Sequence, residues 1–253
     1  MDAVRYAGEF GVGTLVGFLG GLFGKGGSAI ATPLLALLGV PAFVAVAAPL
    51  PATIPGTLIA ALPYRKAGYL DRTIVGWSIA VGVPATVLGS LLTAHIGATP
   101  LLAATGFLVL GFGLRFLFAP RESTPVPAAA GGPVVRWRIM LVALGAGLVS
   151  GLLANAGGFL LVPAYARLLR QPLKTAFACS LAVSMALALP ATVVHAYLGH
   201  IDWHVTGALA LGSVPLSYVG ARTALRMNAA KLERIYGLAL TALGLAFVLH
   251  LAA

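Results

Sequence analysis

The sequence predicts an all-α integral membrane protein of two inverted-topology repeats, each a broken or re-entrant helix hairpin followed by three transmembrane helices. Three observations lead there: hydrophobicity, an internal repeat and the placement of basic residues. Hydrophobic residues fill 60% of the 253 positions and charged residues only 9%, with a mean hydropathy of +1.00. A soluble domain carries roughly 25% charged residues, so this much apolar surface belongs in a bilayer. Stretches such as 74–96 and 175–199 suit a membrane span of about 20 residues. The 32 glycines and 16 prolines fit a membrane bundle, where glycine permits close helix approach and neighbours satisfy backbone freed by proline. The single cysteine, Cys179, excludes an intrachain disulfide and a thiolate metal cluster. Residues 1–6 show no basic stretch or small-residue cleavage site of a signal peptide.

The repeat is read from residues recurring in one frame. Residues 26–33 resemble 156–163 at an offset of 130, and one insertion later the offset becomes 131. In that frame Pro41 matches Pro172, Ala45 matches Ala176 and Leu50 matches Leu181. Gly68 and Asp71 match Gly199 and Asp202, and Gly76, Pro84 and Gly89 match Gly207, Pro215 and Gly220. The chain thus divides into a first membrane repeat at 1–118, a Pro-, Ala- and Gly-rich cytoplasmic linker at 119–138 and a second repeat at 139–253.

Six segments read as full spans: 43–64, 73–95, 99–118, 175–198, 204–221 and 235–252. The opening of each half differs. Residues 8–38 are too long for one span and too short for two with a turn. The run from Gly24 to Ser28 breaks the stretch, as the run from Asn155 to Gly158 breaks 139–169. Two arms of roughly 12–14 residues that enter and leave by one face satisfy this length. Basic residues test the hairpin. Fourteen of the 16 Lys and Arg lie around 65–72, 115–138, 167–174 and 222–234, while the connections at 39–42, 96–98 and 199–204 carry none. Re-entrant hairpins put all four clusters on the cytoplasmic side, as basic loops prefer. Each half then makes three crossings, which inverts the second half and leaves both termini outside. The net charge of +10 becomes a topology signal with some attraction for anionic membrane lipid, and no nucleic-acid partner is expected.

Lys25 is not explained by topology. It stands between glycines at the turn of the first hairpin, far in sequence from any acidic residue. At mid-membrane such a charge needs a partner or a watery cavity; in a shallow hairpin it only reaches an interface. In the first case Lys25 attracts an anion. Gly26, Gly27 and Ser28 then supply the free N–H groups of a helix start, and Gly157 and Gly158 do so from the other half, with Asn155 in the place of Lys25. Close packing through small residues is the competing explanation of these glycines. Thr53, beside Pro49, Pro51 and Pro55, and Cys179 and Ser180 in the equivalent region are candidate cavity-lining residues. His195, with His200 and His204, is a candidate proton relay or external gate, with an interfacial polar cluster as the alternative. No metal site and no cofactor are expected, and Trp77, Trp137 and Trp203 read as interface anchors.

The Gly-x-Gly-Gly-Ser-x-x-x-x-Pro stretch at 24–33, the Ala-Val-Ala-x-x-Leu run at 45–50 and Arg-x-x-Gly-x-x-Asp at 65–71 together resemble the TauE/SafE sulfite exporter family, also called the toluene sulfonate uptake permeases. The resemblance covers essentially the whole chain. It implies an inner-membrane carrier for sulfur-containing anions such as sulfite, thiosulfate or organosulfonates, with protons as a coupling ion and either direction of transport. Carried over by position, the glycine-rich tip falls on Gly24, Gly26, Gly27 and Ser28, and its counterpart on Gly157 and Gly158. The hydroxyls typical after the Ala-Val-Ala run are replaced in the first half by Ala48 and Pro49. The expected mechanism is a secondary transporter working by alternating access, one half rocking against the other, with an anion channel and a non-transporting assembly protein as the alternatives. An enzyme is not expected, because the predicted interior offers no carboxylate pair and no nucleophile beside a base.

Overall fold

A computed structural model describes residues 3–24, 28–93, 95–96, 98–118 and 135–252. Among these the protein is entirely helical. The first half holds α1 (Ala3–Leu22), α2 (Ser28–Leu37), α3 (Ala42–Ala47), α4 (Pro49–Lys66), α5 (Arg72–Thr93) and α6 (Ala98–Phe118). The second holds α7 (Arg136–Leu152), α8 (Gly158–Arg167), α9 (Leu173–Tyr197), α10 (Trp203–Arg226) and α11 (Ala229–Ala252). Three stretches among the described residues are long and apolar enough to cross a membrane: Ala42–Lys66, Arg72–Thr93 and Leu173–Tyr197. The other expected spans, 99–118, 204–221 and 235–252, form α6, α10 and α11.

The hairpins differ from the expected equal arms. Their first arms have 20 and 17 residues, about 30 and 25 Å at 1.5 Å per residue; their second arms, α2 and α8, have only 10 each. The glycines of α1 do not shorten it because they are contact surface. A Cβ on Gly13, Gly17 or Gly21 would lie 2.6, 2.2 or 2.0 Å from the carbonyl oxygen of Leu209, Ser213 or Ser217 on α10. The close approach offsets the entropic cost of glycine in a helix.

These pairs also give helix directions. Numbers rise together along α1 and α10, so the two are parallel. The Ala48 carbonyl accepts from Thr206 Oγ1 at 2.9 Å and Gly56 faces Ser217, so α4 is parallel to both. A second trio repeats the pattern. Gly147 faces Gly82 and Gly151 faces Thr86, while the Asp71 N–H meets Cys179 Sγ at 3.4 Å and Gly82 meets Leu187. Thus α5, α7 and α9 are parallel. The trios run in opposite directions where α4 meets α9: Leu50 shares a core with Ala191, and Tyr64 shares one with Phe177. The remaining long helices, α6 and α11, pack antiparallel on each other, Gly113 against Thr241 and Gly244 against Leu110. Each trio therefore mixes the halves, α10 joining α1 and α4, and α5 joining α7 and α9.

The repeated Gly-x-x-Asp is a helix stop and start. Gly68 and Gly199 take φ of +78° and +72°, the left-handed turn that closes a helix. Asp202 then accepts from the N–H groups of His204 and Val205 at 2.8 and 3.2 Å, and Asp71 caps α5 through Thr73 and Ile74 at 2.8 and 3.1 Å. Asp202→Ala is expected to lower stability by about 1 kcal/mol, and Asp202→Asn by much less; thermal unfolding of the two variants checks this. Backbone shape is preserved even where the glycine is not. Gly24 and Ala154 are both left-handed, at +64° and +44°, as are Gly39 and Arg170, at +74° and +53°. Where sequence differs, so does the helix. Pro49 and Pro51 lack the N–H that would continue the ladder, and the helix is interrupted at Ala48, whereas Cys179 and Ser180 let α9 run unbroken.

Candidate functional site

The starts of α2 and α8 meet. Ser28, fully buried, donates from Oγ to Asn155 Oδ1 at 2.8 Å and accepts from the Ala156 N–H at 3.1 Å. Asn155 is 1% exposed; its Oδ1 also accepts from the Gly157 N–H at 3.3 Å, and its own carbonyl accepts from Ser150 Oγ. Its Nδ2 has no partner among the described residues. Ser180 Oγ donates to the Gly158 carbonyl at 3.4 Å, tying α9 to the start of α8. Gly157 caps α8 with φ of +76°, and a Cβ there would be 3.1 Å from both Leu187 and Ser150 Oγ. On the other side Gly24 is required twice, by its positive φ and because a Cβ would lie 2.2 Å from Phe177.

The expected tip residues Ser28, Asn155, Gly157 and Gly158 are thus brought together, with Ser180 beside them. Lys25, Gly26 and Gly27 lie outside the described residues. Thr53 lines a cleft of about 370 Å³, open mouth included, between α1, α4 and α10, whose lining also includes Ala31 of α2 and Leu181 of α9. Cys179 instead is buried against the backbone of Asp71. His195 stands fifteen residues beyond Ser180, about 22 Å along a helix at 1.5 Å per residue. Its Nδ1 is 3.1 Å from His200 Nδ1, whose ring stacks on Phe43 at 4.4 Å. Partial burial in this cluster lowers the pKa of His200. His195 also lies against the Gly151 backbone. Its repeat equivalent, Tyr64, donates from Oη to the Gly21 carbonyl at 3.3 Å. So positions 64 and 195 hold the ends of α1 and α7 alike, one with a phenol and one with an imidazole. Sequence reasoning missed this pair, although the offset of 131 already aligned it. Ser150, Ser213 and Ser217 were missed as well, because a serine in an apolar helix carries no spacing signal of its own.

The TauE/SafE sulfite exporter family matches residues 10–247. The chain belongs to that family. A relative from Xylella fastidiosa (strain 9a5c), described as a probable membrane transporter protein, is 31% identical over 243 residues, which cover 93% of this chain and 92% of the relative. A second, from strain Temecula1 / ATCC 700964 and described in the same words, is 30% identical over the same shares. No solved structure matches. The matched residues include Ser28, Asn155, Gly157 and Gly158.

Proposed function

We propose that the protein is a secondary transporter that carries a small sulfur-containing anion of the sulfite, thiosulfate or organosulfonate class across the cytoplasmic membrane. The observation that carries this reading is the meeting of α2 and α8 at Ser28 and Asn155. Two helix starts facing one another offer backbone N–H groups and converging partial positive charge to an oxyanion, an arrangement suited to inverted-repeat carriers. The Asn155 Nδ2 donor, without a partner among the described residues, adds a further N–H at that point, and Lys25 would supply the charge.

Helix directions support inverted halves. Repeat-equivalent helices α1 and α7 belong to opposite trios, as do α4 and α9, and α5 and α10. With the basic ends of α4, α6 and α10 on the cytoplasmic side, α1 begins outside and α7 inside. Both termini then face outward. Alternating access takes a form other than one half rocking against the other, because that motion would part the tightest contacts in the molecule, α1 on α10 and α5 on α7. The moving bodies in this reading are the mixed trios, sliding at α4 and α9 around the tips.

The test is a thermal-shift panel of sulfite, thiosulfate, sulfate, sulfoacetate, taurine and chloride on purified protein, followed by liposome flux. One sulfur anion is expected to raise the melting temperature with concentration, and Lys25→Ala to weaken that shift at least tenfold in concentration. Equal flux by wild type and Lys25→Ala removes Lys25 from the site; no anion response in either assay sinks the transport reading.

A further inference from the structure

Asn155 is not alone in having a donor to spare at the start of α8. A serine or threonine inside a helix commonly returns its hydrogen to the carbonyl one turn back. Thr32, Thr53, Thr57, Thr86 and Ser217 all do so, at 2.7 to 3.0 Å. Ser184 on α9 does not. It is fully buried, and its Oγ has no partner among the described residues. A buried hydroxyl left unpaired lowers stability, so its presence calls for a reason.

Three neighbours on α9 fix the direction in which Ser184 points. One turn before it, Ser180 Oγ donates to the Gly158 carbonyl at 3.4 Å. Three residues after it, Leu187 lies 3.1 Å from where a Cβ on Gly157 would stand. A further turn on, Ala191 shares a core with Ala154. Positions 180, 184, 187 and 191 follow the spacing of one helix face, so the break at 154–158 lies across that face with Ser184 at its middle.

The donors of this break are accounted for one by one. The Asn155 N–H reaches the Ser150 carbonyl at 2.7 Å. The N–H groups of Ala156 and Gly157 go to Ser28 Oγ and Asn155 Oδ1, and those of Leu160 and Leu161 both go to the Gly157 carbonyl at 3.0 Å. Those of Gly158 and Phe159 find no acceptor among the described residues, as the first turn of a helix leaves them. The Gly157 N–H also fixes the amide of Asn155: it needs Oδ1, which turns Nδ2 away from it. Ser28 has already given its hydrogen to that Oδ1, so it orients Asn155 and has none left to donate. Four uncommitted donors therefore surround the start of α8: Asn155 Nδ2, Ser184 Oγ and the N–H groups of Gly158 and Phe159. The first half offers no equivalent hydroxyl. Thr53, the repeat counterpart of Ser184, spends its hydrogen on the Pro49 carbonyl, and Pro49 stands where α9 has Ser180.

We infer that Ser184 is an anion-binding residue, its hydroxyl joining Asn155 Nδ2 and the N–H groups of Gly158 and Phe159 to hold the oxygens of a sulfur oxyanion at the start of α8. An oxyanion brings several acceptor oxygens to donors that no protein acceptor takes, and the partial positive charge of the helix start adds to the attraction. The inference deepens the transport reading and rests on it. The experiment follows the melting temperature of purified wild type and Ser184→Ala in rising sulfite and thiosulfate at constant ionic strength, and then flux of the same anions in liposomes. Without added anion Ser184→Ala is expected to melt at or above the wild-type temperature, because it removes a buried hydroxyl that has no partner. It is expected to need at least tenfold more anion for the same shift, and its half-saturating concentration for flux to rise by a similar factor. A wild-type dependence on both anions in Ser184→Ala overturns the inference and leaves the transport reading standing. A variant that melts well below wild type without anion overturns it too, since the hydroxyl then serves the fold. Wild type that responds to neither anion, in melting or in flux, brings down both.

Discussion

Gly21→Leu is expected to abolish the folded protein under conditions where Gly145→Leu is indistinguishable from wild type. A Cβ at position 21 would lie 2.0 Å from the Ser217 carbonyl oxygen and 2.9 Å from the Ala221 nitrogen. Both are backbone atoms of α10, so no side chain can rotate out of the way and the helices must separate. Overpacking of a core costs typically about 1–3 kcal/mol and occasionally more. Here separation would also open the neighbouring contacts at Gly13 and Gly17, so a loss of about 3 kcal/mol or more is expected. Gly145, in contrast, has nothing within 4 Å of its Cβ position and lies exposed on α7. Gly151→Leu should behave like Gly21→Leu, because its Cβ would lie 2.1 Å from the Thr86 carbonyl. Melting temperature by fluorescence-detected size exclusion reads all three. Survival of Gly21→Leu with wild-type stability would show that the α1–α10 approach is looser than described.

Asn155→Asp and Asn155→Leu are expected to separate anion recognition from structure at the tips. Leucine removes the acceptor for Ser28 Oγ and the Gly157 N–H, leaving buried polar groups unpaired at about 1–3 kcal/mol each. Both stability and flux should fall. Aspartate keeps the acceptor but exchanges the Nδ2 donor for negative charge. The fold should hold better than in Asn155→Leu, while sulfite flux drops at least tenfold because a carboxylate repels an oxyanion where two helix starts would attract it. Flux by Asn155→Asp equal to wild type would place the anion elsewhere in the molecule. Retained flux in Asn155→Leu would remove position 155 altogether.

Much of the architecture was legible in particular residues. Prolines and glycines recurring at an offset of 131 announced the halves, since a backbone turn such as Gly68 or Gly199 needs a left-handed residue wherever it is reused. Five of the six apolar stretches became single helices close to their expected bounds, because helix length in a bilayer is set by its thickness; the sixth, 43–64, is broken at Ala48 into α3 and α4. The arms of the hairpins were misjudged. Glycine lowers helix propensity when counted along one chain, yet in α1 the cost is offset by a neighbour more than 190 residues away. That Ser28, Asn155, Gly157 and Gly158 stand at breaks in the backbone was legible, because glycine and asparagine at equivalent positions announce a special backbone. The cleft was not, apart from Thr53, because it is defined by what Gly56 leaves out.

The sequence by itself determined the membrane class and the turns, and it set the expectation of two related halves with their basic clusters on one side. Each of these follows from local chemistry: transfer of side chains into lipid, backbone freedom at glycine, and the preference of cations for the cytoplasmic face. Only the tertiary structure decided which helices share a bundle. It decided that α1 leaves its own half to pack on α10, and that Ser28 meets Asn155 across 127 positions of chain. It also decided that Ser184 keeps its hydrogen uncommitted where Thr53 spends its own on the Pro49 carbonyl. The physical reason is that, among helices already in lipid, hydrophobicity no longer selects partners. Shape and hydrogen bonding between small residues do, and these depend on which surfaces meet.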